Sequence, residues 1–176
     1  MNYKISKSDS VFNGIVFDIK VDEIIYESGN IGRREVVLHN GGAVVVPVTK
    51  EGKVVFVKQF RYPLQQWLLE LPAGKLDKGE DPLVCAKREL TEETGYTSNN
   101  IKKLGAIFTS PGFCTEELHI FLATDLMPGN HNREEGEYGM EVFEFSLEEV
   151  RSKIVSGEIT DAKSICGIQY LELNKS

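Results

Sequence analysis

GKLDKGEDPLVCAKRELTEETGY, residues 74–96, is the stretch on which the reading of this chain turns. Within it Leu83, Ala86 and Leu90 recur at helical spacing. Asp81 is placed as an N-cap with Pro82 at the first helical position, and Gly95 stands where a left-handed C-terminal residue belongs. These signals predict a helix over residues 82–94. On it Glu89 and Glu93 lie one turn apart with Glu92 between them, so the carboxylates share a face beside the apolar stripe. Like charges this close destabilise a helix and raise one another's pKa unless a cation sits among them, and hard oxygen donors select Mg²⁺, with Mn²⁺ as a substitute, over softer metals. The plainer reading is a solvated acidic face pairing with Lys87 and Arg88. Against it stands the loop before the helix, where Gly79 permits a tight turn that brings Glu80 toward the carboxylates.

Outward from this helix the period changes. Residues 43–48 and 54–59 are short β-rich runs joined by the hairpin-like Thr49-Lys50-Glu51-Gly52, and residues 67–71 form a further strand ended by Pro72-Ala73-Gly74. Strands are predicted near 101–108, 119–123 and 140–145. Ser146 and Glu149 make a capping-box pattern that opens a second helix, and Thr160-Asp161 opens a third carrying Ile165, Ile168, Tyr170 and Leu171. Strands interleaved with helices imply a layered α/β domain. Toward the N-terminus, Ile15, Phe17, Ile19 and Val21 alternate with mostly polar residues, Glu27-Ser28-Gly29-Asn30 supplies a turn, and a second strand follows over 34–39. Residues 1–40 therefore read as a small antiparallel β unit ahead of a domain over 41–176. So few strands are not stable alone, and the expectation is that their apolar face packs on another subunit in a homodimer, with a β extension packing only on its own chain as the plainer reading.

Composition narrows the classes of function. A formal charge of −7 over 176 residues argues against a nucleic-acid partner, which needs a basic face. An anionic small molecule would have to be met by cations or local arginines. Cys85, Cys114 and Cys166 are odd in number and widely spaced, and are expected to be reduced thiols. No apolar run suits a signal peptide or a membrane span, so the expected setting is cytoplasmic, without membrane association.

The spacing Gly74, Glu80, Arg88-Glu89-Leu90, Glu92-Glu93, Gly95-Tyr96 resembles the Nudix box at every defining position. Chance agreement is on the order of 10⁻⁸ per starting point at average residue usage. The resemblance implies a Nudix α/β/α sandwich with a mixed sheet, and a loop–helix–loop in which Glu89, Glu92 and Glu93 bind metal. By the same resemblance Glu80 supports the metal site, Arg88 orients the glutamates, and the Ala73 carbonyl is a further ligand. The metals would neutralise diphosphate charge and acidify the water that attacks phosphorus.

Beyond the box, Arg33-Arg34-Glu35-Val36-Val37 leading to His39, Gln59-Phe60-Arg61-Tyr62, Glu70-Leu71-Pro72-Ala73-Gly74, and Ser110-Pro111-Gly112-Phe113 with Glu116 resemble the ADP-ribose pyrophosphatase branch. That branch implies substrate contacts from Arg61, from Arg33 of a neighbouring subunit, and from the loop of Ser110, Pro111, Gly112 and Glu116. Two plainer readings stay open: a surface ion pair of Arg33 with Glu35, and a simple turn at Ser110-Pro111-Gly112. For the base that activates water, the branch points to the acidic loop 131–139, with Glu137 the choice and Glu135 the alternate. The implied reaction is Mg²⁺-dependent hydrolysis of a nucleoside diphosphate derivative, best ADP-ribose to AMP and ribose 5-phosphate. A GDP-mannose or other nucleoside diphosphate sugar hydrolase is the nearer rival. A non-catalytic nucleotide sensor is the farther one, since it would be expected to lose the metal-site carboxylates.

Overall fold

The computed structural model describes residues 2–130 and 139–174. The chain divides into two compact units, residues 1–41 with 108–117 and residues 42–107 with 118–176.

In the first unit β1 (Tyr3–Asn13), β2 (Phe17–Tyr26) and β3 (Ile31–His39) form an antiparallel sheet in that order. The β2–β3 turn closes through Gly29, whose left-handed φ of 83° lets its N–H reach the Tyr26 carbonyl at 2.9 Å. One expectation needs correction. Ile15 is not part of the alternating strand but precedes it, 94% exposed. Residues 108–117 cluster with the strands of the first unit. There the Val37 N–H donates to Phe113 O at 2.7 Å, the Thr115 N–H donates to Val37 O at 3.0 Å, and the His39 N–H donates to Thr115 Oγ1 at 2.9 Å.

The second unit holds β4 (Gly42–Pro47), β5 (Val54–Arg61), β6 (Gln66–Glu70), β7 (Ala73–Lys75), α1 (Pro82–Thr94), β8 (Tyr96–Thr97), β9 (Asn100–Phe108) and β10 (Glu117–Thr124). It continues with β11 (Met127–Pro128), β12 (Glu141–Phe145), α2 (Leu147–Ser156) and α3 (Ala162–Leu173). One sheet runs β7-β4-β10-β9, parallel where β4 meets β10 and antiparallel where β4 meets β7, and a second runs β12-β5-β6. Strand β4 is buried on both faces, which is why its sequence is apolar without alternation. Val44 and Val46 pack with Phe56, Ile120, Ile168 and Leu171, on the side of α2 and α3. Ala43 and Val45 pack with Cys85, Ala86 and Leu90 of α1 on the other. Removing each Val or Leu side chain from water contributes about 1.5–3 kcal/mol. The arrangement is the expected α/β/α layering with a mixed sheet.

The ends of α1 form as the sequence dictates. Asp81 Oδ1 accepts from the Leu83 and Val84 N–H groups at 2.8 and 3.3 Å, and Gly95, at φ 74°, donates to Thr91 O at 2.9 Å. The capping box of Ser146 and Glu149 opens α2.

Candidate active site

Helix α1 packs its apolar stripe on β4, and this sets its carboxylates against β7. Glu89 and Glu93 are buried, at 6% and 2% exposure. Glu93 Oε2 accepts the Ala73 N–H at 3.0 Å, tying helix to strand. Glu89 lies so close to Gly74 that a Cβ there would overlap its carboxylate, so the box glycine is a requirement of space.

Arg88 is the hub of the cluster. Its Nη1 donates to Glu89 Oε1 at 2.6 Å and to Glu92 Oε2 at 3.1 Å. Nε and Nη2 fork onto Glu80 at 3.2 and 3.1 Å, and Nη2 also reaches Lys75 O at 3.3 Å. Gly79, at φ 82°, turns the loop so that the Asp77 N–H donates to Glu80 Oε2 at 3.0 Å and the Glu80 N–H to Asp77 O at 2.9 Å. The Arg88 guanidinium holds the Glu80 carboxyl below the usual carboxylate range, and the carboxylates in turn raise Arg88. Lys87 makes no part of this cluster.

Among the described residues no group of three His, Cys, Asp or Glu side chains converges on one metal-sized point, and the positive charge among Glu80, Glu89 and Glu92 is that of Arg88. The donor set is nonetheless all oxygen, anionic, partly buried and open to a cleft, which suits a hard divalent cation.

The cleft, of about 500 Å³, is lined by Gln59, Phe60, Arg61, Ala73, Gly74, Glu89, Glu92 and Glu93 among others. Arg61, at the end of β5, lines the same cleft. Its Nε and Nη2 fork onto Glu70 at 2.7 and 2.5 Å, which among the described residues leaves Nη1 for a ligand. Glu70 is 1% exposed and also bonds Lys163, which lies 2.9 Å from Asp161. Burial pushes the Glu70 carboxyl up, but Arg61 and Lys163 outweigh it and hold it below the usual range. Sequence reasoning did not single out this ion cluster. Glu70 stood only as one letter of a longer pattern, and Lys163 and Asp161 arrive on α3 from far along the chain. The one local hint was Asp161 as a helix opener, and it does cap α3, accepting the Ser164 N–H at 3.0 Å.

The remaining candidate residues lie in the first unit or outside the described chain. Arg33 is exposed and 3.6 Å from Glu35, the ion pair named as its plainer role. Ser110 O accepts from Phe113 and Cys114 N–H at 3.1 and 2.9 Å, so Ser110-Pro111-Gly112 forms a turn. Glu116 accepts from Thr109 Oγ1 at 2.7 Å and lies 3.5 Å from His39 Nδ1. Glu137 and Glu135 fall outside the described residues. The cysteines are free thiols, and burial pushes Cys85 up to about 12. Among the described residues, no helix is long and apolar enough to cross a membrane.

Comparison with known proteins places these features in context. The family model described as NUDIX domain matches residues 38–165. The ADP-ribose pyrophosphatase of Bacillus subtilis (strain 168) is 45% identical over 170 residues, covering 96% of this chain and 91% of that one. The methanol dehydrogenase activator of Bacillus methanolicus is 38% identical over 175 residues, covering 98% and 94%. A crystal structure of an ADP compounds hydrolase superposes with a TM-score of 0.87 at 17% identity, covering 98% of this chain and 93% of that one, and so shares the fold.

Proposed function

The chain belongs to the NUDIX domain family, and on that premise we propose that it hydrolyses ADP-ribose to AMP and ribose 5-phosphate. It is a Nudix pyrophosphohydrolase acting on a nucleoside diphosphate derivative; the choice of ADP-ribose rests on the relative with 45% identity and on the branch patterns around Arg61 and Pro111. The observation that carries the reading is the cleft itself, which faces buried carboxylates of α1 across to the guanidinium of Arg61.

A divalent cation, Mg²⁺ in this proposal with Mn²⁺ able to substitute, would neutralise the diphosphate and acidify the attacking water. Glu89, Glu92, Glu93 and the Ala73 carbonyl are the proposed ligands, with Glu80 behind them. The chain's own residues do the positioning. Arg88 holds Glu80, Glu89 and Glu92 in one array, and the Ala73 N–H fixes one oxygen of Glu93. Arg61, fixed by Glu70, offers Nη1 to a phosphate oxygen, a charge-assisted bond that stabilises charge developing at phosphorus. Glu137 is the proposed base, with Glu135 its alternate, on the resemblance alone.

We further propose a cytoplasmic homodimer joined through the first unit, in which Arg33, Ser110, Pro111, Gly112 and Glu116 contribute substrate contacts. Its support is apolar exposure: Tyr3, Ile5, Val11, Phe12, Val16 and Phe17 are all at least 40% exposed. A panel of ADP-ribose, GDP-mannose and ADP-glucose with Mg²⁺ tests the substrate. ADP-ribose is expected to give the highest kcat/KM, and a preference of about tenfold or more for GDP-mannose, roughly 1.4 kcal/mol in transition-state binding, would transfer the assignment.

A further inference from the structure

Gln59 is 9% exposed, lines the cleft, and its Nε2 has no hydrogen-bond partner among the described residues. Burying an amide in this state is destabilising, and native folds tolerate it where another molecule completes the bond. The register of β5 and β6 shows where the group stands. Glu70 pairs with Val57, two residues before Gln59, and Arg61 lies two residues after it. Alternate residues of a strand share a face, so the Arg61–Glu70 ion pair spans the position of Gln59 on the cleft side of the sheet.

We propose that Gln59 is a substrate-binding residue whose amide N–H donates to a non-bridging phosphate oxygen of the diphosphate, beside the Arg61 guanidinium. The inference rests on the proposed function for its ligand. The unpaired atom is a donor, so the missing partner is an acceptor, and the neighbouring guanidinium favours an anionic one. Of the carboxylates that line the cleft, Glu89, Glu92 and Glu93 lie on α1 and Asp77 in the loop before it, and none of them bonds the amide, whereas a diphosphate seated between Arg61 and α1 brings an oxygen to it. Such a bond made equally in ground and transition states acts on KM rather than kcat.

The test is a pair of variants in the full chain. Gln59→Met removes the amide at similar volume. It is expected to raise KM for ADP-ribose at least about tenfold, the worth of one hydrogen bond to a charged acceptor, with kcat nearly kept. Its Tm is expected to equal or exceed that of the parent, since the unpaired group is gone. Gln59→Glu places an acceptor and a negative charge at the same spot and is expected to raise KM further. An unchanged KM in Gln59→Met, or a parent-like KM in Gln59→Glu, overturns the inference. If the parent chain does not turn over ADP-ribose, the proposed function falls by itself. Gln59 is then judged by the rise in Tm that inorganic pyrophosphate with Mg²⁺ produces, expected to be smaller in Gln59→Met, and an equal rise in both proteins overturns it.

Discussion

Glu93 is 2% exposed and its Oε2 accepts the Ala73 N–H, so Glu93→Gln keeps an acceptor for that bond while removing the charge. The variant is expected to lose about 10³-fold in kcat, roughly 4 kcal/mol of transition-state stabilisation, with an intact fold by circular dichroism. Near-normal turnover at saturating Mg²⁺ would remove Glu93 from the proposed ligand set. A second expectation concerns Glu70, whose folded pKa lies below the ordinary 4.5 because Arg61 and Lys163 outweigh its burial. A carboxyl depressed in this way contributes stability above its unfolded pKa and loses it as pH falls through the folded value. Glu70→Gln should therefore unfold at lower urea than the parent near neutral pH, with the gap narrowing well below pH 4.5; a gap independent of pH contradicts the linkage. At this scale the spacing of Glu89, Glu92 and Glu93 was legible in sequence, because helical period alone sets which side chains share a face. That Glu89 and Glu93 are buried was not, because their cover comes from β7, whose approach no local pattern reports.

Helix α1 carries its own start and stop signals, and the boundaries read from Asp81, Pro82 and Gly95 coincide with those in the structure. Asp81→Ala removes the acceptor for the Leu83 and Val84 N–H groups and is expected to cost about 1 kcal/mol, a fall in Tm of about 2–4 °C for a chain of this size. An unchanged melting curve would mean that tertiary packing alone holds this end of the helix. Elements without such local signals were read less well. The edge strand β1 is exposed along its whole length, so no burial pattern marks its sequence. Residues 108–117 join the first unit through backbone bonds to β3, a pairing between segments far apart in the chain. Lys163 reaches Glu70 from 93 residues away for the same reason.

Over the whole molecule the formal charge of −7 opposes an anionic substrate, so its capture must depend on cations held locally, Arg61 among them. The proposed dimer is a property of two chains that no single-chain pattern fixes. Sedimentation at micromolar concentration is expected to show a dimer, and Val11→Lys, at a residue 58% exposed on β1, is expected to shift it to monomer without lowering Tm. A monomeric parent chain would contradict that proposal, and with it the substrate contact from Arg33 of a neighbouring subunit, while leaving the carboxylate site of α1 untouched. The chemistry itself is decided by the products formed from ADP-ribose. With Mg²⁺ the chain is expected to release AMP and ribose 5-phosphate in equal amounts, and excess EDTA is expected to stop the reaction. Hydrolysis that continues undiminished in EDTA, or products other than this pair, would contradict a carboxylate-held cation acting on the diphosphate.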